Sequence, residues 1–240
     1  MLFIIGLGLN ERGISKEGLL ALEKCKKAYL ESYTVDFPYE LIDLKLSKKI
    51  FPIKRLDVES NRLIKEAKGR NIALLVYGSP LFATTHMSLI LDAEKQKVKV
   101  KVIYAASVFD AIAETGLQLY KFGKITSLPA FDDKYETDFL KYVKENQSIN
   151  AHSLILIDIG LSSEDAFFYL EKAAKNNIKL DKAVVCSQLG TENSQAYYDT
   201  IYNLRRRKIE KPFCFIIPGK MHFLEEEALE RFSNKKNNLS

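Results

Sequence analysis

The sequence predicts an α/β fold, because short apolar segments alternate along the chain with segments of helical periodicity. Most of the apolar segments are continuous, which is typical of strands that are covered on both faces of a sheet. The predicted strands are Leu2–Ile5, Ile72–Tyr77, Val98–Tyr104, Leu154–Ile157, Ala183–Cys186 and Phe213–Ile217.

Two segments between these strands have clear helix signals. Apolar residues recur among charged ones from Ser15 to Lys27, which predicts an amphipathic helix after the first strand. Ser162 and Asp165 have the spacing of a capping box, and the helix that they begin is predicted to reach about Lys175.

The character of the chain changes after Gly116. The stretch from Lys124 to Asn150 is polar, contains Pro129 and the pair Asp132–Asp133, and is predicted to be rich in loops. We therefore expect two α/β domains, an N-terminal one over residues 1–113 and a C-terminal one over residues 114–240.

Composition excludes several classes of protein. With 47% hydrophobic and 28% charged residues, the 240-residue chain can bury a core and is not expected to be disordered. It has no run of eighteen apolar residues, so no membrane helix is expected, and its apolar start is interpreted as a core strand rather than a signal peptide. The net charge of +5 is concentrated in Arg205–Lys208 and in the tail Ser233–Ser240. A helix end and a terminus explain both, so direct nucleic-acid binding is not expected.

Cysteine and histidine spacing gives no sign of disulfides or metal. Cys25, Cys186 and Cys214 are widely separated and form no C-x-x-C pair, which favours buried free thiols in a reducing cytoplasm. The three histidines have no metal-ligand spacing, so no metal is predicted.

The most informative segment is GSPLFATTH, residues 78–86, between a predicted strand and a predicted helix. Such a junction places small residues and free backbone amides at the edge of a sheet where α/β folds bind ligands. Thr84 and Thr85 are predicted N-caps of the helix. A Walker-type phosphate loop is excluded, because no G-K-[ST] follows.

Other strand ends have weaker signals. Ala106–Glu114 begins a further helix, with Ser107 as a candidate cap and Asp110 either complementing the helix dipole or orienting a substrate cation. IPGKMH, residues 217–222, ends the last strand and contains a glycine that permits a tight turn. The opening GLGLNERG departs from the dinucleotide fingerprint, because Glu11 occupies the position of the third glycine.

Several segments taken together resemble the diphthine synthase family. They are GLGL (Gly6–Leu9), YLESYT (Tyr29–Thr34), GSPLFATTH, ETGLQLYKFG (Glu114–Gly123), LILIDI (Leu154–Ile159) and IPGKMH. ATTH and GLQLYKFG are specific to that family, and the segments span nearly the whole chain in order. The resemblance implies the tetrapyrrole methylase-like fold, in which two α/β domains hold S-adenosylmethionine in the cleft between them, and it implies a homodimer.

The resemblance also implies an activity. Members of the family are S-adenosylmethionine-dependent N-methyltransferases of diphthamide biosynthesis. They methylate the amino group of 2-(3-carboxy-3-aminopropyl)histidine, a modified histidine on translation elongation factor 2, to give diphthine and S-adenosylhomocysteine. Because fold alone does not fix a substrate, two alternatives stay open: a methyltransferase of the same fold that acts on a tetrapyrrole or ribosomal RNA, and a non-catalytic relative that binds S-adenosylmethionine.

Carried over position by position, the resemblance implies a set of cofactor contacts: Leu9, Ser79, Phe82, Ser107, Val108, Ile157, Leu189 and Phe213. Ser79 departs from the family, which has aspartate in a G-D-P triplet, and SQLGT departs from an expected ARAGS-like stretch. A proton acceptor is needed for the first methylation. His86, Asp110 and Asp158 are candidates, and the sequence assigns that role to none of them.

Overall fold

Two β-sheets organise the chain, one in each of two units, Met1–Val108 and Phe109–Ser240. The computed structural model describes residues 1–130, 138–175 and 180–233. The pair Asp132–Asp133 and residues 234–240 of the basic tail lie outside the described residues. Within the described ranges, every helix is too short or too polar to span a bilayer.

The sheet of the first unit is entirely parallel. Its strands are β1 (Leu2–Gly6), β2 (Lys27–Glu31), β3 (Ile50–Ile53), β4 (Ile72–Val76) and β5 (Val100–Ile103). They are arranged in the order β3-β2-β4-β1-β5. Because all five strands run in the same direction, their carboxyl ends lie at one edge of the sheet.

Helices cover both faces of this sheet. They are α1 (Lys16–Glu23), α2 (Arg55–Glu59), α3 (Arg62–Gly69) and α4 (His86–Lys95). Alternate residues of β1 belong to different hydrophobic clusters: Phe3 and Ile5 pack with residues of α1, whereas Leu2 and Ile4 pack with residues of α2, α3 and α4. The expectation from the continuous apolar strands, burial on both faces, is confirmed for this unit.

The sheet of the second unit is mixed. Its strands are β6 (Thr126–Leu128), β7 (Ser153–Ile157), β8 (Lys182–Ser187), β9 (Gln195–Thr200) and β10 (Phe213–Ile217). They are arranged in the order β6-β7-β10-β8-β9, in which β6 and β7 are parallel and the other pairs are antiparallel. The central strand β10 is completely buried.

The helices of the second part of the chain are α5 (Val108–Ala111) at the division between the units, α6 (Asp138–Ser148), α7 (Ser163–Ala174), α8 (Ile201–Leu204) and α9 (Phe223–Glu230). The predicted cap of α7 is confirmed, because the Ser162 hydroxyl accepts a hydrogen bond from the Asp165 amide at 3.0 Å. Side chains of α6 and α7 pack in the main hydrophobic cluster of this unit.

All the predicted strands are present, but β5 begins later than predicted. Lys97 has a φ of 58°, and the Val98 amide donates to the Ala93 carbonyl at 2.9 Å, so Val98 still belongs to the turn that ends α4. Strands β2, β3, β6 and β9 were not predicted. The expectation of a loop-rich stretch from Lys124 to Asn150 is wrong in part, because this stretch contains β6 and α6.

Candidate functional site

The loops that follow β1 and β4 are joined to each other at the carboxyl edge of the first sheet. The Gly78 amide donates to the Gly8 carbonyl at 2.9 Å, and the Gly8 amide donates to the Gly78 carbonyl at 3.3 Å. The Tyr77 hydroxyl donates to the Leu9 carbonyl at 3.0 Å. These contacts fix the two loops as one rigid edge beyond the last residues of the strands.

Glycine is required at this edge. A Cβ atom at Gly6 would lie 2.6 Å from the Gly78 carbonyl oxygen, so no side chain fits at Gly6. Gly78 has a φ of 68°, a conformation that glycine adopts without strain. A Cβ atom at Gly78 would instead lie 3.7 Å from the Ala106 carbonyl oxygen, 3.9 Å from Ser107 Cα and 4.0 Å from Leu9 Cδ2. The Gly78 backbone therefore faces a gap that is bordered by the loops after β1 and β5.

The sheet topology also favours this edge. Strands β1 and β4 are neighbours, yet the helices that follow them, α1 and α4, pack on opposite faces of the sheet. Connections that leave adjacent strands toward opposite faces form a topological switch point, and open parallel sheets bind ligands outside the carboxyl ends of such strands. The gap at Gly78 is at this position.

The structure brings five of the predicted cofactor contacts to this edge: Leu9, Ser79, Phe82, Ser107 and Val108. Ser79 and Phe82 are half-buried and belong to one turn, in which the Phe82 amide donates to the Ser79 carbonyl at 3.2 Å. Val108 is the first residue of α5. Gly78, Leu9 and Ser107 are buried, so this edge combines apolar side chains with main chain in a confined space.

The other three predicted contacts lie together at one edge of the second sheet. Strand β7 ends at Ile157 and β10 begins at Phe213, with Cys214 opposite Leu156 in the antiparallel register. Leu189 follows β8, and its neighbour Gln188 donates a backbone hydrogen bond to the Pro212 carbonyl at 2.8 Å.

Two of these three residues, Leu189 and Phe213, are buried, with 6% and 7% of their surface exposed. Phe213 belongs to the hydrophobic core, where its ring centroid lies 5.7 Å from that of Phe215. The sequence pattern does not distinguish such a core side chain from a contact surface.

The segment between β4 and α4 is held by its own side chains. We call residues 78–85 the cofactor loop. The Thr84 hydroxyl and His86 Nδ1 each lie 2.9 Å from the Pro80 carbonyl oxygen. Thr85 is the N-cap residue of α4, as predicted, but the expected capping through the threonine hydroxyls is wrong. The Thr84 hydroxyl is used by Pro80, and Thr85, at φ −95° and ψ 8°, lacks the extended backbone that presents a cap oxygen to the helix amides.

A buried ion pair lies behind the cofactor loop. His86 Nε2 is 2.7 Å from Glu31 Oε2, and the two side chains are 1% and 0% exposed. A carbonyl only accepts hydrogen bonds, so the Nδ1 atom that faces Pro80 has to carry a proton. Burial lowers the pKa of His86, but Glu31 and the Pro80 carbonyl outweigh burial, so the pKa is raised above its ordinary value. Sequence analysis missed Glu31, although it lies within the YLESYT motif.

A second buried histidine–carboxylate pair lies in the second unit. His152 Nε2 is 3.0 Å from Glu225 Oε1, and His152 Nδ1 accepts the Gly219 amide at 2.9 Å. Glu225 also accepts two backbone N–H groups and the Lys121 ammonium. Burial opposes the charge of Glu225, but these donors lower its pKa to about 2. Because His152 Nδ1 accepts a hydrogen bond, that nitrogen carries no proton and the imidazole is neutral. Burial is the main reason why the pKa of His152 is lowered.

This second pair explains two of the sequence motifs. Lys121 belongs to GLQLYKFG, and Gly219 belongs to IPGKMH, where a Cβ atom would lie 2.5 Å from the Ala151 carbonyl oxygen. Glycine at this position is thus required by the close approach of the Ala151 backbone. The pair is beside Ser153, the first residue of β7, and so at the opposite edge of the sheet from Ile157. These motif residues hold the fold of the second unit together.

The proton-acceptor candidates differ in their surroundings. Both ring nitrogens of His86 are engaged, by Glu31 and by Pro80. Asp158 accepts the Ile159 amide at 2.9 Å and the Ala130 amide at 3.4 Å, so its carboxylate orders the end of β7. Asp110 is exposed in the first turn of α5. The geometry therefore assigns no acceptor.

The cysteines are free thiols, as predicted, and all three are buried. Cys186 and Cys214 are opposite each other on β8 and β10, and the contact with Cys214, together with burial, raises the pKa of the Cys186 thiol. Among the residues that the structure describes, no group of three histidine, cysteine or acidic side chains is placed to hold a metal ion.

Comparison with known proteins gives consistent matches. Residues 1–205 match the family described as Tetrapyrrole (Corrin/Porphyrin) Methylases. The diphthine synthase of Methanocaldococcus jannaschii is 38% identical over 252 residues, covering 96% of this chain and 98% of its own. That of Methanococcus maripaludis is 37% identical over 250 residues, with coverage of 96% and 98%. A crystal structure of diphthine synthase superimposes with a TM-score of 0.88 at 31% identity, covering 97% of this chain and 95% of the other. The two-unit α/β fold expected from the motifs is confirmed.

Proposed function

This chain belongs to the diphthine synthases, within the tetrapyrrole methylase family, and from that premise we propose that it transfers methyl groups from S-adenosylmethionine to elongation factor 2. The acceptor is the amino group of the modified histidine, 2-(3-carboxy-3-aminopropyl)histidine, and the products are diphthine and S-adenosylhomocysteine. The observation that carries the proposal is the gap at Gly78, where the first sheet offers main chain and apolar side chains at its switch point.

The residues of the gap fit such a cofactor. Leu9 and Phe82 provide apolar surface, and the Gly78 backbone allows a flat group to approach without meeting a side chain. We propose that Ser107 and Val108 complete this set. The second set, Ile157, Leu189 and Phe213, lies at one edge of the second sheet, and we propose that it contributes apolar contact.

The chemical demands on the protein are modest. When bound, the cofactor supplies a methyl group that its sulfonium sulfur already activates. The chain therefore has to orient the acceptor nitrogen behind that methyl carbon and to exclude water, and both tasks depend on positioning. Apolar residues such as Leu9 and Phe82 suit the exclusion of water, and the fixed backbone of Gly8 and Gly78 suits orientation.

The position of Ser79 motivates the alternative of a binding protein without turnover. The family pattern that this chain resembles has aspartate there, whose carboxylate would attract the positively charged cofactor. The remaining contacts are apolar or main-chain, and the edge that presents Ser79 is intact. We therefore favour an active enzyme.

The test is a transfer assay. The purified protein is incubated with S-adenosylmethionine that carries a labelled methyl group and with elongation factor 2 that carries the modified histidine. We expect the label on that histidine and release of S-adenosylhomocysteine. If the cofactor binds and elongation factor 2 stays unlabelled while a tetrapyrrole or ribosomal RNA accepts the label, the proposed substrate is wrong.

Assembly and location belong to the same proposal. The resemblance to the family implies a homodimer, and analytical ultracentrifugation of the purified protein measures its mass in solution. A reducing compartment such as the cytoplasm is favoured by three cysteines that are all buried as free thiols.

A further inference from the structure

We propose that the buried Glu31–His86 pair is a positioning element that fixes the conformation of the cofactor loop through the Pro80 carbonyl. This inference deepens the proposed function, because it assigns a role to two residues behind the cofactor loop that do not themselves face the gap. It starts from a feature that the proposed reaction does not use: a fully buried carboxylate and imidazole in contact with each other.

The cofactor loop needs support from outside its own backbone. Ala83 has a φ of 53°, a left-handed conformation that costs an alanine about 1 kcal/mol. The loop turns sharply, since the Phe82 amide donates to the Ser79 carbonyl. The Pro80 carbonyl is the anchor point, because it accepts from the Thr84 hydroxyl and from His86 Nδ1, both at 2.9 Å.

The contact with Glu31 favours a proton on each ring nitrogen of His86, so that Nδ1 donates to Pro80 while Nε2 faces Glu31. Apart from the contact with His86, the Glu31 oxygens have no hydrogen-bond partner among the described residues. A buried carboxylate without compensation is costly, so the pair retains one proton between Nε2 and Oε2 in addition to the proton on Nδ1. The Nδ1 hydrogen bond to Pro80 is then charge-assisted and stronger than a neutral one.

A tyrosine and an arginine lie close to the pair. Tyr33 is half-buried near Glu31, and its buried hydroxyl has no hydrogen-bond partner among the described residues. Arg55 of α2 lies over the Tyr33 ring, with 5.6 Å between the guanidinium carbon and the ring centroid, and is paired with Glu59 at 3.8 Å.

The pair in the second unit is a built-in contrast. There, Glu225 accepts from several donors, and His152 accepts the Gly219 amide at Nδ1, so that imidazole is neutral. Both pairs are buried, yet only His86 donates to a carbonyl of the cofactor loop. Disruption of the second pair therefore reports the effect of lost stability alone.

Two substitutions at His86 separate its two contacts. Glutamine places its amide nitrogen near Nε2, so H86Q keeps a donor toward Glu31 and loses the bond to Pro80. Asparagine places its amide nitrogen near Nδ1, so H86N keeps the bond to Pro80. H86N is combined with E31Q so that no unpaired carboxylate is buried. The matched control for general destabilisation is E225Q.

The first measurement is hydrogen exchange of the protein without ligand. We expect H86Q to exchange the amides of residue 79 and residues 81–85 about tenfold faster than the natural protein, as the loss of one charge-assisted hydrogen bond predicts. E225Q is expected to leave this segment unchanged, and E31Q/H86N, which keeps a neutral hydrogen bond to Pro80, is expected to accelerate exchange by no more than about threefold. Equal exchange in H86Q and the natural protein would overturn the inference, and so would equal acceleration in H86Q and E31Q/H86N.

The second measurement is calorimetric titration with S-adenosylmethionine, combined with steady-state kinetics. We expect H86Q to raise the Kd about tenfold and the KM for the cofactor similarly, with kcat at saturation within about twofold. An unchanged Kd in H86Q would overturn the role of the pair in cofactor binding. If the natural protein itself does not bind S-adenosylmethionine, the proposed function fails, and the exchange experiment still decides whether the pair fixes the loop.

A third variant guards against misfolding of H86Q. T84V removes the other hydrogen bond to the Pro80 carbonyl with little change in side-chain volume. We expect about threefold faster exchange of the loop and about threefold weaker cofactor binding, because the lost bond is a neutral one. Exchange and affinity that both stay at the natural values in T84V would contradict the proposed role of Pro80 as the anchor.

Discussion

The lack of a Cβ atom at Gly78 leaves its backbone accessible to a ligand in the gap. A Cβ atom at this position would extend into the gap between Leu9 and Ser107 and would strain the positive φ. We expect G78A to lower the free energy of unfolding by about 1 kcal/mol and to weaken cofactor binding more than tenfold. Calorimetry and chemical denaturation measure the two effects.

Gly160 is a matched control for this prediction. Its φ is 88°, and no atom within 4 Å would contact an added Cβ. G160A therefore introduces the same kind of strain without filling a gap, and we expect a similar loss of stability with unchanged affinity. If G78A and G160A weaken cofactor binding equally, the gap at Gly78 is not the binding surface.

Ala83 tests whether the left-handed turn of the cofactor loop matters. Its side chain is exposed, so substitutions there act through the backbone rather than through packing. Glycine accepts a φ of 53°, whereas a β-branched residue resists it. We expect A83G to keep the cofactor Kd within about twofold and A83V to raise it about tenfold. Equal affinities of A83G and A83V would show that this turn is dispensable.

Ser79 tests the effect of the charge that the family's G-D-P triplet implies at the gap. A carboxylate on the half-buried loop is worth roughly 0.5 kcal/mol toward a cation, or about a twofold to threefold change in affinity. We expect S79D to bind S-adenosylmethionine more tightly by that factor and to gain less for S-adenosylhomocysteine, which lacks the sulfonium charge. S79N has the same shape without the charge, and an equal gain in S79N would exclude an electrostatic cause.

Among the strands, those predicted have mostly apolar sequences, and of the four that were missed only β3, with the sequence IFPI, is apolar throughout. Strand β4 and strand β10 are buried at every residue, and their sequences are apolar throughout. Strand β2 is buried too, but its sequence KAYLE has a charge at each end. The charge of Glu31 is tolerated because His86, 55 residues later in the numbering of this chain, reaches it in the folded state. The sequence pattern around Glu31 gives no indication of this contact.

Strand β9 and helix α6 were missed for a related reason. The residues of β9 are half-buried or exposed on an edge of the sheet, so its sequence QAYYDT has no apolar run. Helix α6 has a single apolar stripe of Phe139, Leu140 and Val143 that packs on the core of the second unit. Lys141, Lys144 and Glu145 lie among and after these positions, so the segment has the composition of a polar loop.

Glu225, in the first turn of α9, predicts that the stability of the second unit is sensitive to acid. The pKa of this buried carboxyl is lowered to about 2, below its value in the unfolded chain of about 4.3. Its contribution to stability is therefore present above about pH 4.3 and is lost as the pH falls through about 2. We expect the natural protein to lose more stability than E225Q between those pH values, and denaturation curves measured at each pH check it. Parallel curves for the two proteins would contradict the assignment.

Over the full chain, the fold brings the cofactor contacts that the resemblance implies into two groups. Five of them lie at one edge of the first sheet and three at one edge of the second, although they are spread over two hundred residues. Each lies at the end of a strand or in the segment next to it, and their role as cofactor contacts stays a prediction. The expected boundary between residues 113 and 114 falls inside the 3-10 helix Ile112–Thr115 of the second unit.

Two features of the fold could not be predicted from the sequence. The mixed direction of the second sheet leaves no trace in the alternation of strands and helices, because the order of elements along the chain is the same for parallel and antiparallel pairing. The two buried histidine–carboxylate pairs join residues 55 and 73 positions apart, so only the fold reveals them.

The most direct test of the account is a crystal structure of the protein with S-adenosylhomocysteine. We expect the ligand against the main chain of Gly78, in contact with Leu9 and with the loop that contains Ser107. A ligand bound elsewhere on the chain, with the gap at Gly78 filled by protein side chains, would contradict the central claim that this edge of the first sheet binds the methyl donor.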